Sequence, residues 1–143
     1  MSLIFSRHCE YALQAVVFLA LQKEGKRVSI KEMTKKLDIP YHFLAKILQD
    51  LSRKGLLASI QGPGGGFSLG VPAADITLFD IVEAVDGLDL TKSCVMGFAE
   101  CSGKHPCAVH NTWSGIRDGI CSMLVGKNIA QMAGDMKQPG YSK

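Results

Sequence analysis

The chain has 143 residues, of which 47% are hydrophobic and 20% are charged, a composition that excludes an intrinsically disordered protein. The longest apolar stretch, residues 12–21, is too short to span a membrane, and no secretory cleavage site follows it, so we expect a cytoplasmic protein without membrane contact. The net charge is only +3, but residues 1–70 hold ten Lys or Arg against five Asp or Glu, whereas residues 71–143 hold six against eight. The basic first part suits a polyanionic partner, although a solvated charged face explains it equally well.

The first part of the chain predicts three helices. Residues 9–22 are dense in Ala, Val, Leu and Phe, which indicates a helix buried on most sides. Ser29 begins a second helix, and Glu32 completes a predicted capping box. Pro40 is placed at the first position of a third helix, whose apolar residues recur at helical spacing up to a stop at Gly55. Because a tight turn joins the last two helices, we expect a helix-turn-helix.

A short hairpin is predicted directly after the third helix. Residues 56–61 and 67–69 have the composition of two strands, with a glycine-rich turn at residues 62–66 between them. The turn lacks the Lys-Ser or Lys-Thr ending of a nucleotide-binding loop, and no helix follows it. A helix-turn-helix followed by a hairpin is the order of a winged helix, so we expect the turn to approach the DNA backbone or minor groove.

The rest of the chain predicts two helices separated by a loop. Thr77 caps a helix that stops at Gly87, and the loop covers residues 89–106. Over residues 107–125, apolar residues recur at alternating steps of four and three, which is typical of a coiled-coil seam. We therefore expect this helix to pair with a second copy, with packing on its own domain as the alternative. The seam residues are Val109, Trp113, Ile116, Ile120 and Met123.

Three cysteines and a histidine lie within 17 residues in the pattern C-x6-C-x5-C-x2-H, namely Cys94, Cys101, Cys107 and His110. Soft thiolates and an imidazole bind zinc, iron or an iron-sulfur cluster. The gaps are wider than the C-x2-C pairs of structural zinc sites, which suits a loop that wraps around something larger than one ion. From spacing alone, zinc, free cysteines and a disulfide stay open as alternatives.

The other reactive residue types carry less information. Cys9 and Cys121 lie inside apolar helical patterns and are predicted to be small core residues. His105 in the loop is an alternative ligand to His110. No Ser-His-Asp arrangement or carboxylate pair stands out, so an enzyme would depend on the loop cysteines alone, and we expect the chain not to be an enzyme.

Several segments match one family pattern in the same order and context: EYAL at 10–13, LSRKGL at 51–56, GPGGGF at 62–67, IVEAVD at 81–86 and the cysteine loop. With these segments the chain resembles the Rrf2 family of winged-helix iron-sulfur transcriptional regulators, of the IscR and NsrR type. The resemblance implies a mainly α fold with a small β-hairpin wing. It also implies a winged helix-turn-helix DNA-binding domain over residues 1–72, and a linker helix, cluster-binding loop and long dimerisation helix over residues 73–143.

The resemblance further implies a homodimer that binds near-palindromic double-stranded DNA operators. It places an iron-sulfur cluster, 2Fe-2S in preference to 4Fe-4S, on Cys94, Cys101 and Cys107. His110 matches the IscR pattern for the fourth ligand and is our prediction. Glu10 is the alternative, because it matches the position from which NsrR-like members supply a carboxylate across the dimer.

The DNA contacts follow from the winged-helix arrangement, in which the third helix enters the major groove and the wing turn lies at the minor groove. Gln61 stands where many family members have an arginine, so the base preference of the wing is expected to differ. The predicted contacts are Tyr41, His42 and Lys46 near base edges, Ser6, Arg7, Arg53 and Lys54 on phosphates, and Gln61, Gly62, Gly64 and Gly65 at the minor groove.

The sequence thus predicts a transcriptional regulator that senses cluster status, redox state or nitric oxide. One alternative is a winged-helix regulator that senses thiols, zinc or a partner protein without a cluster. A second alternative is a thiol-dependent or metal-dependent enzyme.

Overall fold

The computed structural model describes residues 4–99, 103–104 and 106–136. Its helices and strands, in chain order, are α1 Arg7–Ala20, α2 Ile30–Leu37, α3 Tyr41–Arg53, β1 Leu57–Ile60, β2 Gly66–Leu69, α4 Leu78–Val85, α5 His110–Gly126 and α6 Ile129–Asp135. Short 3-10 turns at Ala73–Asp75 and Asp89–Thr91 lie on either side of α4. This order confirms the predicted mainly α fold with a small hairpin wing. In the part of the chain that the structure describes, no helix is both long and apolar enough to cross a bilayer.

The helix α1 forms because a long apolar run follows a good N-cap. The Ser6 hydroxyl accepts a hydrogen bond from the Cys9 amide at 3.0 Å, which satisfies one of the free amides of the first turn. The helix begins two residues before the predicted start, because Arg7 and His8 are polar and fall outside the apolar pattern. Its buried side chains are Cys9, Ala12, Ala15, Val16, Val17, Phe18 and Leu19.

The helices α2 and α3 form the predicted helix-turn-helix. The Ser29 hydroxyl accepts from the Glu32 amide at 3.1 Å, but the Glu32 carboxylate lies 3.5 Å from Lys26 Nζ, so only half of the predicted capping box is formed. Asp38 ends α2 in the left-handed conformation (φ 56°), which Asp tolerates better than most side chains. Pro40 has an extended ψ of 136° and is the N-cap of α3. The prediction placed it at the first helical position, so the helix begins one residue later than expected, at Tyr41.

The strands β1 and β2 pair in antiparallel fashion, with Ile60 opposite Gly66 next to the turn. Val28, from the segment before α2, adds one bridge: its amide donates to the Phe67 carbonyl at 2.9 Å, and its carbonyl accepts from the Phe67 amide at 2.8 Å. A Cβ at Gly66 would lie 2.7 Å from the Val28 oxygen, and the φ of 141° also favours glycine. This close approach ties the wing to the helix-turn-helix.

One hydrophobic core joins the helix-turn-helix and the wing to the segments that follow them. Each leucine buried in it contributes about 1.5–3 kcal/mol. The core continues beyond residue 72, so the predicted division of the chain at that residue falls inside a shared core and stays a prediction. Its fully buried members include Leu44, Leu48 and Leu51 of α3, and Ile76, Ile81 and Ile129 from the second half.

The helix α5 begins at His110 and not at Cys107, which is a correction to the predicted range of 107–125. Val109 is the N-cap, with φ −116° and ψ 19°, and its carbonyl accepts the first helical hydrogen bond from Trp113 at 2.8 Å. Cys107 therefore lies in the segment before the helix.

The helix α6 is an element that the apolar periodicity does not predict. Asn128 and Gln131 form a complete capping box, with reciprocal amide to side-chain hydrogen bonds of 2.8 and 3.0 Å. The Ile129 amide donates to the Ile76 carbonyl at 2.7 Å, and α6 packs against α1. The Asn-x-x-Gln spacing is the sequence signal that could have located its start.

Candidate DNA-binding surface and cysteine site

One face of α3 is exposed, and it carries the side chains predicted to lie near base edges. Tyr41, His42 and Lys46 are all exposed. The opposite face is buried in the core, so α3 is held with its polar face outward. A helix presented in this way fits the major groove of B-DNA, which is about 12 Å wide. The buried residues of α3 are Leu44, Ile47, Leu48 and Leu51.

Phe43 belongs to this exposed face, and the sequence interpretation missed it. Its side chain is 38% exposed. Its ring lies edge-on to His8, with the centroids 5.4 Å apart, and 4.4 Å from the ring of His42. These contacts bring the start of α1 next to the start of α3. The spacing in the sequence could have revealed this position, because Phe43 precedes Lys46 by three residues and therefore lies on the same face of α3.

The wing turn is exposed at Gln61, Gly62 and Gly64, as its predicted role requires. Gly65 is half-buried, and a Cβ there would lie 2.2 Å from the Ile60 carbonyl oxygen. The turn therefore needs glycine at this position whether or not the residue contacts DNA.

A cleft of about 480 Å³ separates the wing from the helix-turn-helix. Ser29 and Lys31 at the start of α2, Tyr41 on α3 and Ile60 on β1 contribute to its walls. Lys31 is exposed, and the sequence interpretation did not single it out. Its ammonium group adds a positive charge to the surface beside the wing.

The carboxyl end of α4 contacts two of the side chains that were predicted to hold phosphates. The Ser6 amide donates to Asp86 Oδ2 at 2.9 Å, and the Ser6 hydroxyl donates to Asp86 Oδ1. Lys54 Nζ donates to the Ala84 carbonyl at 2.6 Å. The end of α4 thus joins the start of α1 to the end of α3.

The two arginines predicted to hold phosphates form local ion pairs. Arg7 Nε lies 3.6 Å from Glu10 Oε2, and Arg53 pairs with Asp50. Both arginines are exposed, and surface ion pairs of this kind contribute about 0–1 kcal/mol. A phosphate can replace such a partner at little cost, so these phosphate contacts stay predictions.

Two of the loop cysteines lie together. The Cys107 side chain lies close enough to the Cys94 thiol to help lower its pKa, and neither residue is in a disulfide. Cys94 is buried, whereas Cys107 is half-buried just before α5. Cys101 and His105 lie outside the described residues. His110 is the first residue of α5, and its amide donates to the Cys107 carbonyl at 3.1 Å.

The predicted ligand set is only partly brought together. Among residues 4–99, 103–104 and 106–136, no three His, Cys, Asp or Glu side chains are grouped closely enough to hold a metal ion. Cys94 and Cys107 meet, but His110 does not complete a group of three with them. The assignment of Cys94, Cys101, Cys107 and His110, with Glu10 of α1 as the alternative fourth ligand, therefore stays a prediction.

Backbone amides surround the Cys94 sulfur. Burial raises the pKa of this thiol, but hydrogen bonds from the backbone of Phe98, Met96 and Gly97 and from the Cys107 side chain outweigh it, so the pKa of Cys94 is lowered. The thiolate is the form of cysteine that binds metals. The local backbone thus favours the ligand form of Cys94.

The helix α5 anchors the segment before Cys94. Trp113 Nε1 donates to the Ser93 carbonyl at 2.7 Å, and Arg117 Nη1 donates to the Lys92 carbonyl at 3.5 Å. The apolar periodicity placed Trp113 on a seam with a second copy, but the indole is half-buried and directed toward its own chain. Sequence periodicity carries no signal for this contact, and the pairing of the seam with a second copy stays a prediction.

Cys9 is a core residue, as predicted, and is fully buried between α1, α4 and α5. Burial, the charge of Asp86 and a hydrogen bond to Asp86 raise the pKa of Cys9 to about 12. A thiol that is buried and protonated is unreactive. Cys121 is only half-buried on α5, so the predicted core position is reached in part.

The helix α5 divides the predicted seam between two faces. Trp113 and Ile120 pack on their own chain, whereas Val109, Ile116 and Met123 are 43%, 52% and 47% exposed. The exposed three are seven residues apart, so they form one apolar stripe. One face of the helix thus packs on its own domain, and pairing of the exposed stripe with a second copy stays a prediction.

Comparison with known proteins gives consistent results. The chain matches the sequence profile of the Rrf2 family, described as iron-dependent transcriptional regulator, over residues 5–135. It is 35% identical over 132 residues to a protein of Aquifex aeolicus (strain VF5) assigned as an HTH-type transcriptional regulator, with 91% of each chain covered. It is 32% identical over 126 residues to the HTH-type transcriptional regulator IscR of Vibrio atlanticus (strain LGP32), with 87% of this chain and 72% of IscR covered.

Solved structures share the fold. CymR (YrzC), the global cysteine regulator of B. subtilis, superposes with a TM-score of 0.80 at 25% identity and covers 94% of this chain and 98% of its own. IscR of T. potens superposes with a TM-score of 0.75 at 22% identity, covering 100% and 95%, which shows the common fold. The relatives are transcriptional regulators and not enzymes. The chain belongs to the Rrf2 family of transcriptional regulators.

Proposed function

We propose that this chain is a cytoplasmic, homodimeric, operator-binding regulator whose affinity for DNA depends on an iron-sulfur cluster in the cysteine loop. The observation that carries the proposal is that the Cys107 side chain and three backbone groups, of Phe98, Met96 and Gly97, lower the pKa of the Cys94 thiol and so favour its ligand form. Hydrogen bonds to ligand sulfur atoms are a main determinant of cluster potential. The description of the family as iron-dependent supports an iron cofactor.

In this proposal the ligands come from one loop and the helix after it. Cys94 and Cys107 supply two thiolates, and Cys101 supplies the third. His110 is the fourth ligand, with Glu10 of a second copy as the alternative. When bound, a 2Fe-2S cluster, or in second place a 4Fe-4S cluster, supplies a centre that oxidants, nitric oxide or iron shortage can alter.

The cysteine site is linked to the DNA-binding helices by a short route. The helix α5 holds the segment before Cys94 through Trp113. Eight residues upstream of Cys94, the end of α4 holds the start of α1 through Asp86 and the end of α3 through Lys54. A movement of the loop that shifts α4 therefore reorients α1 and α3. A coupling of about 1–3 kcal/mol is enough for a 5- to 150-fold change in affinity.

The DNA-binding part comprises residues 1–72, and residues 73–143 carry the linker helix, the loop and the dimerisation helix. The exposed face of α3 enters the major groove, while Gln61 and the turn glycines lie at the minor groove. The apolar stripe of α5 pairs two copies, which places two such heads on the half-sites of a near-palindromic operator. The direct contacts are Tyr41, His42 and Lys46 to base edges, Ser6, Arg7, Arg53 and Lys54 to phosphates, and Gly62, Gly64 and Gly65 with Gln61 at the wing.

A second candidate function is a regulator that senses thiols without a cluster. The same contact between Cys94 and Cys107 favours it, because two adjacent thiols are also a redox-active pair. The likeness to CymR, the global cysteine regulator of B. subtilis, adds support.

Oxygen-free purification decides between the two functions. We expect a coloured protein with iron and sulfide in equal amounts, and we expect Cys94→Ser and Cys107→Ser to lose the colour while Cys121→Ser keeps it. The iron content per chain separates 2Fe-2S from 4Fe-4S. A colourless protein after reconstitution would refute the cluster, and a failure to enrich a palindrome in operator selection would refute operator recognition.

A further inference from the structure

The cleft between the wing and the helix-turn-helix separates the two elements that the proposed function places in DNA grooves. Tyr41 belongs to the exposed face of α3 and also lines this cleft, so the two surfaces are continuous. On the other side, Ile60 of β1 and the turn residues Gly62 and Gly65 form the wall. Because the two glycines carry no side chain, the backbone of the turn borders the cleft directly.

The geometry of B-DNA decides what such a cleft can hold. The major and minor grooves alternate along the duplex, and one sugar-phosphate strand separates each groove from the next. With α3 in the major groove and the wing turn at the adjacent minor groove, the strand between these grooves has to pass between α3 and the wing. The cleft of about 480 Å³ is the space between these two elements.

We propose that this cleft holds one sugar-phosphate strand of the bound duplex, that Lys31 binds a phosphate of that strand, and that Ile60 contacts a deoxyribose. The assignment rests on the proposed operator recognition and adds two residues to the predicted contacts. Both residues act on the DNA backbone, so they contribute affinity and position without reading sequence.

The charge of Lys31 suits a phosphate. Its side chain is exposed in the first turn of α2, and it forms no ion pair within the part of the chain that the structure describes. By contrast, the ammonium group of Lys26 lies 3.5 Å from the Glu32 carboxylate. No carboxylate of the described residues lines the cleft. A phosphate in the cleft therefore meets a cation that has no acidic partner to give up.

The apolar side chain of Ile60 suits a sugar. It is 45% exposed at the end of β1, whereas Leu57 at the other end of the strand is buried in the core. Contact with deoxyribose carbons would remove this apolar area from water, which is favourable. Such a contact releases no counterion, so it adds to the affinity without adding to the salt dependence. The two proposed contacts therefore differ in a measurable property.

The test uses the full chain, purified without oxygen, and measures its affinity for a selected operator and for unrelated duplexes by fluorescence anisotropy over a range of salt concentrations. We expect Lys31→Gln to weaken binding to all duplexes alike, by about 5- to 10-fold at about 0.1 M salt, and to reduce the slope of log affinity against log salt by about one. Lys31→Arg keeps the charge and should restore both. Lys36→Gln, an exposed change on another face of α2, is the matched control and should bind as the wild type does.

Ile60→Thr keeps the branched side chain and removes part of its apolar area. We expect it to weaken binding about threefold and to leave the salt slope unchanged. Wild-type affinity in Ile60→Thr would overturn the sugar contact.

Duplexes with one uncharged methylphosphonate locate the phosphate that Lys31 binds. The modification is placed in turn at each phosphate of one half-site. We expect one position at which it weakens the wild type about as much as Lys31→Gln does, and at which it weakens Lys31→Gln no further. An added loss in Lys31→Gln at every position would overturn the contact.

The remaining outcomes separate this assignment from the proposed function. An unchanged salt slope or a changed base preference in Lys31→Gln would overturn the phosphate contact, since such a contact carries no sequence information. A wild type that binds all duplexes equally would refute operator recognition, whereas a uniform loss in Lys31→Gln would still support the contact. A wild type that binds no duplex would overturn both.

Discussion

Trp113 holds the backbone beside Cys94 through its indole N–H, which donates to the Ser93 carbonyl at 2.7 Å. Phenylalanine keeps most of the ring and removes this hydrogen bond, which contributes about 1 kcal/mol. We expect Trp113→Phe to release the cluster to a chelator about fivefold faster, followed by the decay of visible absorbance. Val125→Ala, an exposed change on the same helix, should release it at the wild-type rate. Equal rates for all three proteins would show that the indole does not position the ligand segment.

Gly66 permits the contact between the wing and Val28. We expect Gly66→Ala to lower the free energy of unfolding by about 2 kcal/mol or more, because the new Cβ would lie 2.7 Å from the Val28 oxygen. Gly64→Ala is the control: its φ of 74° is also unfavourable, but nothing lies within 4 Å of its Cβ, so it should cost about 1 kcal/mol. Urea unfolding measures both changes. Equal losses would mean that the approach to Val28 contributes nothing.

Cys9 links stability to pH. Burial and Asp86 raise the pKa of Cys9 from 9.0 to about 12, so the unfolded chain loses this proton at a lower pH than the folded chain does. The contribution of this pKa difference to the free energy of unfolding is complete below about pH 9 and is lost as the pH rises from about 9 to about 12. Between about pH 8 and about pH 10, we expect the wild type to lose roughly 1 kcal/mol more stability than Cys9→Ala in denaturant unfolding. Cys121→Ala is the control and should follow the wild type; a wild-type slope equal to that of Cys9→Ala would contradict the linkage.

At the scale of elements, the end of α4 is the connection between the cysteine site and the DNA-binding helices. Asp86→Ala removes both hydrogen bonds to Ser6 and leaves the contact of Lys54 with Ala84. We expect the ratio of operator affinities with and without the cluster to move at least about threefold toward one, measured by fluorescence anisotropy. The exposed change Glu83→Ala on the same helix should leave the ratio unchanged. If Asp86→Ala weakens both states equally, this contact is only structural.

The elements themselves differ in how well the sequence predicts them. The helix-turn-helix and the hairpin are predicted within one or two residues, because Ser29, Pro40 and the turn glycines act on their immediate neighbours. The start of α5 is displaced from Cys107 to His110, because the apolar repeat continues upstream of the first helical hydrogen bond. The helix α6 escapes periodicity because it has only seven residues, too few for a repeat to emerge.

At the scale of the whole molecule, the apolar stripe of Val109, Ile116 and Met123 determines the proposed assembly. A carboxylate placed at its centre would be buried without a partner in the dimer, which costs several kcal/mol. We expect Ile116→Glu to raise the dimer dissociation constant about 100-fold or more in analytical ultracentrifugation and to weaken binding to a two-site operator far more than to a half-site. Asp118→Lys, a charge change on another face of α5, should leave the dimer intact. A dimeric Ile116→Glu protein would place the subunit contact elsewhere.

The separation in the chain between interacting residues explains which features could be predicted and which could not. Helix caps, apolar repeats and glycine turns involve residues close in the chain, so the sequence alone determined the winged helix-turn-helix, the exposed face of α3 and the three-cysteine loop as the place to look for a sensor. Only the tertiary structure decided that Ser6 is bound by Asp86, 80 residues away, that Trp113 turns toward Ser93, and that Cys94 meets Cys107. The physical reason is that a side chain's partner depends on which surfaces the folded chain brings together, and no repeat in the sequence encodes that choice.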